Sequence, residues 1–155
     1  MAMKTLMLTL ALIFTTVSAA PVMAADSIYT SWKDNLAVGG YDTVSFFSGK
    51  PQEGKKEFTL NHAGAEWRFL TRGNLDLFKT NPEAFMPQYG GYCAWAVANN
   101  KLAKGSPKHW HVEDGKLYLN FNARIQRRWE KDIPGFVSEA DGHWPAILNL
   151  SLIHI

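Results

Sequence analysis

The chain has 155 residues, with 16 Lys or Arg, 14 Asp or Glu and a formal net charge of +2 when His is counted as neutral. This near-balance argues against nucleic acid as a partner, because a nucleic-acid-binding protein needs a clear basic surplus. The length suits one ordinary domain with a single core. Six Trp, five Tyr and nine Phe are available either to fill that core or to form an aromatic platform for a ligand.

The first 24 residues have the pattern of a secretory signal peptide. Lys4 gives a positive start, residues 6–17 form an apolar run too short for a comfortable membrane span, and Ala24 precedes the expected cleavage point. We therefore expect a soluble protein, periplasmic or secreted, with no stable membrane insertion after cleavage near Ala24. Residues 25–35 would form an N-terminal lead segment, and residues 36–147 the domain itself.

The tail, residues 148–155, ends in a segment that is unusual for the end of a domain. Residues 150–155 carry no acid, no lysine and no turn former. They also resemble the translated end of a transposon used to prepare sequencing libraries. We expect a sequencing artefact from residue 150 onwards and leave His154 out of the functional argument; the alternative is a genuine apolar edge strand.

In the first half of the domain, the pattern predicts short strands and turns, and no internal repeat is apparent. An extended piece over 36–42 breaks at a glycine pair and is followed by a strand through Val44, Phe46 and Phe47. Runs at 58–61 and 66–70 predict a hairpin around residues 62–65. Asn74 is predicted to cap a short helix, and Pro82 suits the first position of the next.

In the second half, Asp114-Gly115 is the strongest hairpin signal, flanked by runs at 110–112 and 116–120. Helices are predicted at 91–99, from an Asn122 cap to about residue 132, and at about 136–144, with Pro134-Gly135 ending the second of these. Short helices and hairpins without crossovers indicate an α+β fold, a small antiparallel sheet packed with several short helices.

Several separate motifs follow one another in the domain: Gly40-Tyr41-Asp42, Asn81-Pro82-Glu83, the run 87–94, the run 115–120 and the closing pattern of Trp129, Asp132, Ala140-Asp141 and Trp144-Pro145. Taken in this order, they resemble the YHS domain family, and most closely its stand-alone, exported bacterial branch. The resemblance covers about residues 36–147. It implies a metal-binding role, as presumed for related domains in copper-exporting P-type ATPases. Those domains typically carry paired cysteines, whereas this chain has one.

Cys93 is the single cysteine, so an internal disulfide is excluded and packing must hold the fold. As a thiolate it would be a soft ligand for Cu(I) or Zn(II). As a thiol among Ala94, Ala96 and Val97 it would be a small buried hydrophobe. As a reactive nucleophile it would need a base that is not visible in its sequence neighbourhood. A position in the first turn of a helix would favour the thiolate.

Three other residues are candidate metal ligands. His109 and His111 lie two apart, so on a strand both imidazoles would face one side while Trp110 faces the other. The alternative is an exposed start of a strand. Met86 would add a soft thioether, or simply pack between Phe85 and Pro87. Asp42, after the glycine pair, is predicted to accept backbone N–H bonds and fix its loop.

These observations favour a small exported module that binds or handles a copper-like ion, with zinc as the alternative and a metal-handling protein as a partner. Its metal ligands would be Cys93, His109, His111 and Met86. A second hypothesis is a thiol-dependent enzyme or redox accessory that uses Cys93, although an enzyme is the less favoured reading. A third is an interaction module with no bound ion.

Overall fold

The computed structural model describes residues 24–149. The predicted signal peptide, apart from Ala24, and the suspected artefact from residue 150 lie outside this range. Leu148, in the predicted tail, is buried, and its carbonyl accepts a 2.8 Å hydrogen bond from the N–H of Ala25 in the lead segment. Ala25 and Leu148 therefore lie side by side, and both pack on the domain that they flank.

The predicted α+β class is confirmed, with two separate two-stranded antiparallel sheets in place of one. The strands are β1 (Lys55–His62), β2 (Ala65–Phe69), β3 (Ser106–Glu113) and β4 (Lys116–Asn120). The α-helices are α1 (Thr43–Phe46), α2 (Arg72–Thr80), α3 (Pro82–Phe85), α4 (Ala94–Ala98), α5 (Ala123–Trp129) and α6 (Ile133–His143). Short 3-10 helices occupy Val38–Gly40, Gln88–Gly91 and Ala146–Asn149.

Both predicted hairpins are confirmed, and each first strand begins earlier than the sequence pattern suggested. β1 pairs with β2 and β3 pairs with β4, each through a two-residue turn. The turn residues Ala63-Gly64 and Asp114-Gly115 all have positive φ, from 48° to 79°. Turns of this kind match the right-handed twist of the strands that they join. In each hairpin a register shift follows the first pair of strand residues.

The predicted strand through Val44, Phe46 and Phe47 is wrong, because these residues lie in or directly after helix α1. Their β-branched and aromatic side chains favour a strand, but the carboxylate of Asp42 accepts a 2.9 Å bond from the N–H of Val44 and caps a helical turn. The turn buries Phe46 in the core. A single capped turn is too short to show helical periodicity in the sequence.

Helix caps explain three further differences. Thr71, not Asn74, caps α2, with its hydroxyl accepting from the N–H of Asn74. The residues Pro134-Gly135 do not end α5 but lie in the first turn of α6, which Asp132 caps. The helix predicted from residue 91 begins at Ala94. The predicted cap at Asn122 is confirmed.

The described residues contain an internal structural repeat that the sequence did not reveal. Each element from the first 3-10 helix to the start of α2 has a counterpart 51 positions further on: Lys55 and Ser106 begin the first strands, and Ala65 and Lys116 begin the second strands. The two hairpins therefore belong to two copies of one arrangement. We call residues 36–80 the first half and residues 87–129 the second half.

The hydrogen bonds repeat at the same spacing. The N–H of Asp42 donates to the carbonyl of Gln52, and the N–H of Cys93 donates to that of Ala103, both at 2.9 Å. Isolated bridges join Leu36 to Glu66 and Pro87 to Leu117. Each half begins with a residue of positive φ before a Gly-Gly-Tyr sequence, Val38 in one and Tyr89 in the other. Cys93 is thus the structural counterpart of Asp42.

Strand β4 separates two hydrophobic cores. Leu117 and Leu119 belong to the first core, with Trp67 and Phe78, whereas Tyr118 belongs to the second, with Trp129. This alternation follows from the two-residue period of a strand. Most of the aromatic residues therefore fill the cores. Within residues 24–149, no helix has the length and apolar character needed to cross a membrane.

Three tyrosines of the second core predict a loss of stability in alkali. Burial raises the pKa of Tyr89, Tyr92 and Tyr118. The Tyr89 hydroxyl also donates a 2.9 Å hydrogen bond to Asp141, and this bond raises the pKa of Tyr89 further. A raised folded-state pKa gives stabilisation that is complete below about pH 10, the ordinary tyrosine value, and is lost above it. We expect the free energy of unfolding in urea to fall between about pH 9 and pH 11. Equal values at both pH would contradict this, and Tyr89→Phe should reduce the fall.

Candidate functional site

Cys93 lies at the junction between the 3-10 helix Gln88–Gly91 and α4, beside the end of β4. It occupies the cap position of α4 but makes no side-chain capping bond. Its backbone N–H donates to Ala103, and its backbone forms an isolated parallel bridge with Leu119. The residue is 1% exposed. A ligand from solvent can therefore reach the sulfur only when α4 or its neighbours move.

Polar groups surround the sulfur despite its burial. The thiol donates to the Oδ1 of Asn120 at 3.6 Å, and the same oxygen accepts from the N–H of Trp95 at 3.2 Å. Burial raises the pKa of the Cys93 thiol, while the backbone N–H groups of Ala96, Phe121 and Trp95 lower it, with burial the larger effect. The sulfur is thus buried among donors that would favour a negative charge there.

The counterpart position in the first half holds a carboxylate. Asp42 is 0% exposed and accepts from the N–H of Val44 at 2.9 Å, the N–H of Leu70 at 2.8 Å and the Nδ2 of Asn74 at 2.6 Å. The prediction that Asp42 fixes its loop is confirmed. Val44 and Leu70 correspond to Trp95 and Phe121 at the 51-residue spacing. Cys93 therefore occupies a position that holds an anion in the other half.

Asn120 is the residue of this site that the sequence did not single out. It is 0% exposed, and among the described residues its Nδ2 has no hydrogen-bond partner. Its counterpart in the first half is the apolar Phe69. The only signal in the sequence was a polar side chain at the end of an otherwise apolar strand, Leu117 to Asn120.

The two candidate histidines lie on β3. The Nε2 of His111 is 2.9 Å from an oxygen of Glu113, and its Nδ1 is 3.6 Å from an oxygen of Glu130. The His111 ring also packs edge-on against Trp129, with ring centroids 5.7 Å apart. His109 is half-buried. Glu113 and Glu130 bind opposite sides of one imidazole, so they do not converge on one point as metal ligands would.

Met86, the fourth candidate, follows α3 and packs against the first core. Among the hydrogen bonds and ion pairs of residues 24–149, none links Cys93 to His109 or His111. In the same residues, His, Cys, Asp and Glu side chains form no group of three or more placed to hold a metal ion. Within the described residues, the side chain that hydrogen-bonds to the sulfur is that of Asn120, which is not one of the four candidates.

Comparison of the chain with protein-family models, with curated proteins and with solved structures found no match. The residues themselves therefore have to indicate the function, above all the sulfur of Cys93 and the Asn120 side chain that accepts from it.

Proposed function

We propose that the chain is an exported YHS-type module that handles a soft metal ion, with Cys93 as the protein's ligand and Cu(I) as the preferred ion. One observation supports it most: Cys93 occupies the position that the Asp42 carboxylate occupies in the first half, where that carboxylate accepts from the N–H groups of Val44 and Leu70. A thiolate is the anion that this position could hold, and thiolates select Cu(I) and Zn(II).

Ion loading would replace a proton. The S–H bond of Cys93 breaks, the proton leaves to solvent, and the sulfur lone pair binds the metal ion. The N–H groups of Trp95 and Phe121 would compensate part of the negative charge that burial disfavours. Because Cys93 is 1% exposed, loading would require local opening at α4, a helix of only five residues. Loading should therefore be slower than diffusion allows.

A second donor is needed, because Cu(I) rarely stays on one thiolate. Met86 offers a thioether, and His109 and His111 offer imidazoles. A metal-handling partner could instead supply the donor during transfer, which would account for a single cysteine. Such a role is ion transfer, not storage.

The direct experiment is titration of the purified protein with Cu(I), and separately with Zn(II), in competition with a chromogenic chelator. We expect about one Cu(I) per chain for the wild type and a loss of affinity of at least about tenfold in Cys93→Ser. Met86→Leu and His111→Gln are companion variants, and whichever weakens binding identifies the second donor. Equal Cu(I) affinity of the wild type and Cys93→Ser would contradict the proposal.

A second candidate is an interaction module with no bound ion, with the thiol serving packing alone. The full burial of Cys93 favours it, as does Trp32, which is 90% exposed with the Lys33 ammonium 5.2 Å from its ring centroid. Exposed tryptophan is enriched where proteins bind one another. A wild-type protein that binds neither Cu(I) nor Zn(II) would leave this candidate in place of the first.

A further inference from the structure

Helix α5 presents four basic side chains to solvent on one side. Arg124, Arg127 and Arg128 lie on α5, and Lys131 lies in the turn that follows, where its N–H donates to the carbonyl of Arg128 at 3.3 Å. Residues spaced by three and four positions share one side of a helix, so these cations lie together. All four residues are exposed. We call them the basic face.

Within the part of the chain that the structure describes, no acidic side chain neutralises the basic face. The ion pairs of the described residues have Lys55, Arg68 and His111 as their basic partners. Glu130, the nearest acid in sequence, instead accepts a 3.0 Å bond from Gln126 and lies 3.6 Å from the ring of His111. The basic face can therefore bind negative charge supplied by another molecule.

The internal repeat shows that the fold does not require these cations. Helix α2 is the counterpart of α5 at the 51-residue spacing, and Phe78 and Trp129, at matching positions, are both 0% exposed. The four positions of α2 that correspond to the basic face are also exposed, and they hold Gly73, Asp76, Leu77 and Thr80. They carry one negative charge in place of four positive charges. The two cations of α2, Arg72 and Lys79, lie at other positions.

The electrostatics of α5 itself do not account for the basic face either. The helix dipole favours Arg127 and Arg128, which lie in the last turn, but disfavours a cation in the first turn, where Arg124 lies. Like charges three and four positions apart also repel one another. The spacing of the cations is therefore unfavourable for the isolated helix and becomes favourable when an anionic partner covers it.

The surroundings of α5 favour a protein partner over a lipid surface. Phe121, directly before the Asn122 cap, is 41% exposed, and the Lys104 ammonium lies 5.4 Å from its ring centroid. Aromatic residues and arginine are enriched where proteins bind one another. The apolar side of α5 is occupied, because Trp129 is buried in the second core. The helix therefore has no free apolar side to insert into a bilayer, as membrane-binding amphipathic helices do.

We infer that the basic face, together with Phe121 before the same helix, is a docking surface for a partner protein that presents clustered carboxylates. The planar guanidinium groups of the three arginines suit this chemistry, because each can bind a carboxylate through two parallel hydrogen bonds. The inference goes beyond the proposed function. It does not depend on metal binding, because none of its residues is a candidate metal ligand.

The test uses polyglutamate as the acidic probe and the NMR amide shifts of the purified, metal-free protein as the readout. We expect the largest shift changes within residues 121–131 and an affinity that falls as salt is added. The triple variant Arg124→Gln, Arg127→Gln and Arg128→Gln should bind about tenfold more weakly, as expected for the loss of three exposed charge pairs. The matched control removes the same charge from exposed lysines of the first half and should bind as the wild type does: Lys50→Gln, Lys56→Gln and Lys79→Gln.

Equal polyglutamate affinity in the two triple variants would overturn the inference, as would shift changes spread over both halves. A wild-type protein that binds phosphatidylglycerol vesicles but not polyglutamate would also overturn it and would make the basic face a lipid-binding surface. Thermal unfolding tests for a purely structural role. Because glutamine and arginine have similar helix propensities, the arginine variant should be as stable as the wild type. A clear loss of stability would mean that the arginines serve the fold, and the inference would fail.

Discussion

Asp42→Ala is expected to lower the free energy of unfolding by about 3–4 kcal/mol, the largest effect of any single polar substitution in the described chain. The carboxylate is fully buried and ties three parts of the first half together: the start of α1, the residue after β2 and the side chain of Asn74. Its removal leaves the partly buried N–H groups of Val44 and Leu70 without their acceptor. Urea unfolding followed by circular dichroism measures the change.

Asp34→Ala is the matched control. Asp34 is exposed and accepts one long bond, 3.3 Å from the N–H of Leu36. We expect a change of no more than about 0.5 kcal/mol, as for most surface positions. Equal losses in the two variants would show that Asp42 does not anchor the first half, and the comparison with Cys93 would fail with it.

Gly105→Ala is the second substitution with a large expected effect, a destabilisation of about 3 kcal/mol. A Cβ at this position would overlap the backbone carbonyl of Gly91 and lie 2.8 Å from the Cβ of Leu119. These backbone atoms belong to the segment that leads into Cys93, so they cannot move without shifting the site. Gly54, the counterpart in the first half, is similarly close to the backbone of Arg68. Thermal unfolding measures the loss.

Gly142→Ala provides the contrast. Gly142 lies in α6, and a Cβ there would meet no atom within 4 Å. Because alanine favours a helix over glycine, we expect a gain of up to about 1 kcal/mol. If the Gly105→Ala protein were as stable as the Gly142→Ala protein, the missing side chain at Gly105 would not be what allows its backbone to approach that of Gly91 so closely.

The sequence predicted well those local features that depend on the chemistry of one or two neighbouring residues. Asp114-Gly115 fixes a hairpin turn because both residues tolerate positive φ, and Asn122 caps a helix with its own side chain. The α+β class followed from these short elements. In contrast, residues 43–46 form a helix through the distant anchoring of Asp42 by Leu70 and Asn74, which no local pattern encodes.

The internal repeat was hidden because few of its residues are shared. The two halves retain a Gly-Gly-Tyr sequence and glycines at positions 54, 64, 105 and 115, where backbone geometry demands them. Their core residues differ, with Trp67 in one half and Tyr118 in the other. Packing tolerates such exchanges when volume and polarity are similar. Glycine positions alone are too few to reveal a repeat in one sequence.

The site could be predicted only in part. Cys93 was identified from its chemistry. Its burial, however, depends on strand β4, which packs beside it and lies more than 20 residues further along the chain. Asn120 could not be recognised, because its importance arises from the distance between its amide and the sulfur. The histidines were grouped by their spacing of two, whereas the structure engages His111 with Glu113 and Glu130 instead.

The measurement that most directly tests the central claim is X-ray absorption at the copper edge of the Cu(I)-loaded wild-type protein. Since the chain has one cysteine, a thiolate sulfur bound to copper can only be that of Cys93. Met86→Leu removes the nearest thioether in sequence and serves as the reference spectrum. We predict a sulfur neighbour that persists in Met86→Leu and disappears in Cys93→Ser. A spectrum with only nitrogen and oxygen neighbours would contradict the claim that this sulfur binds the ion.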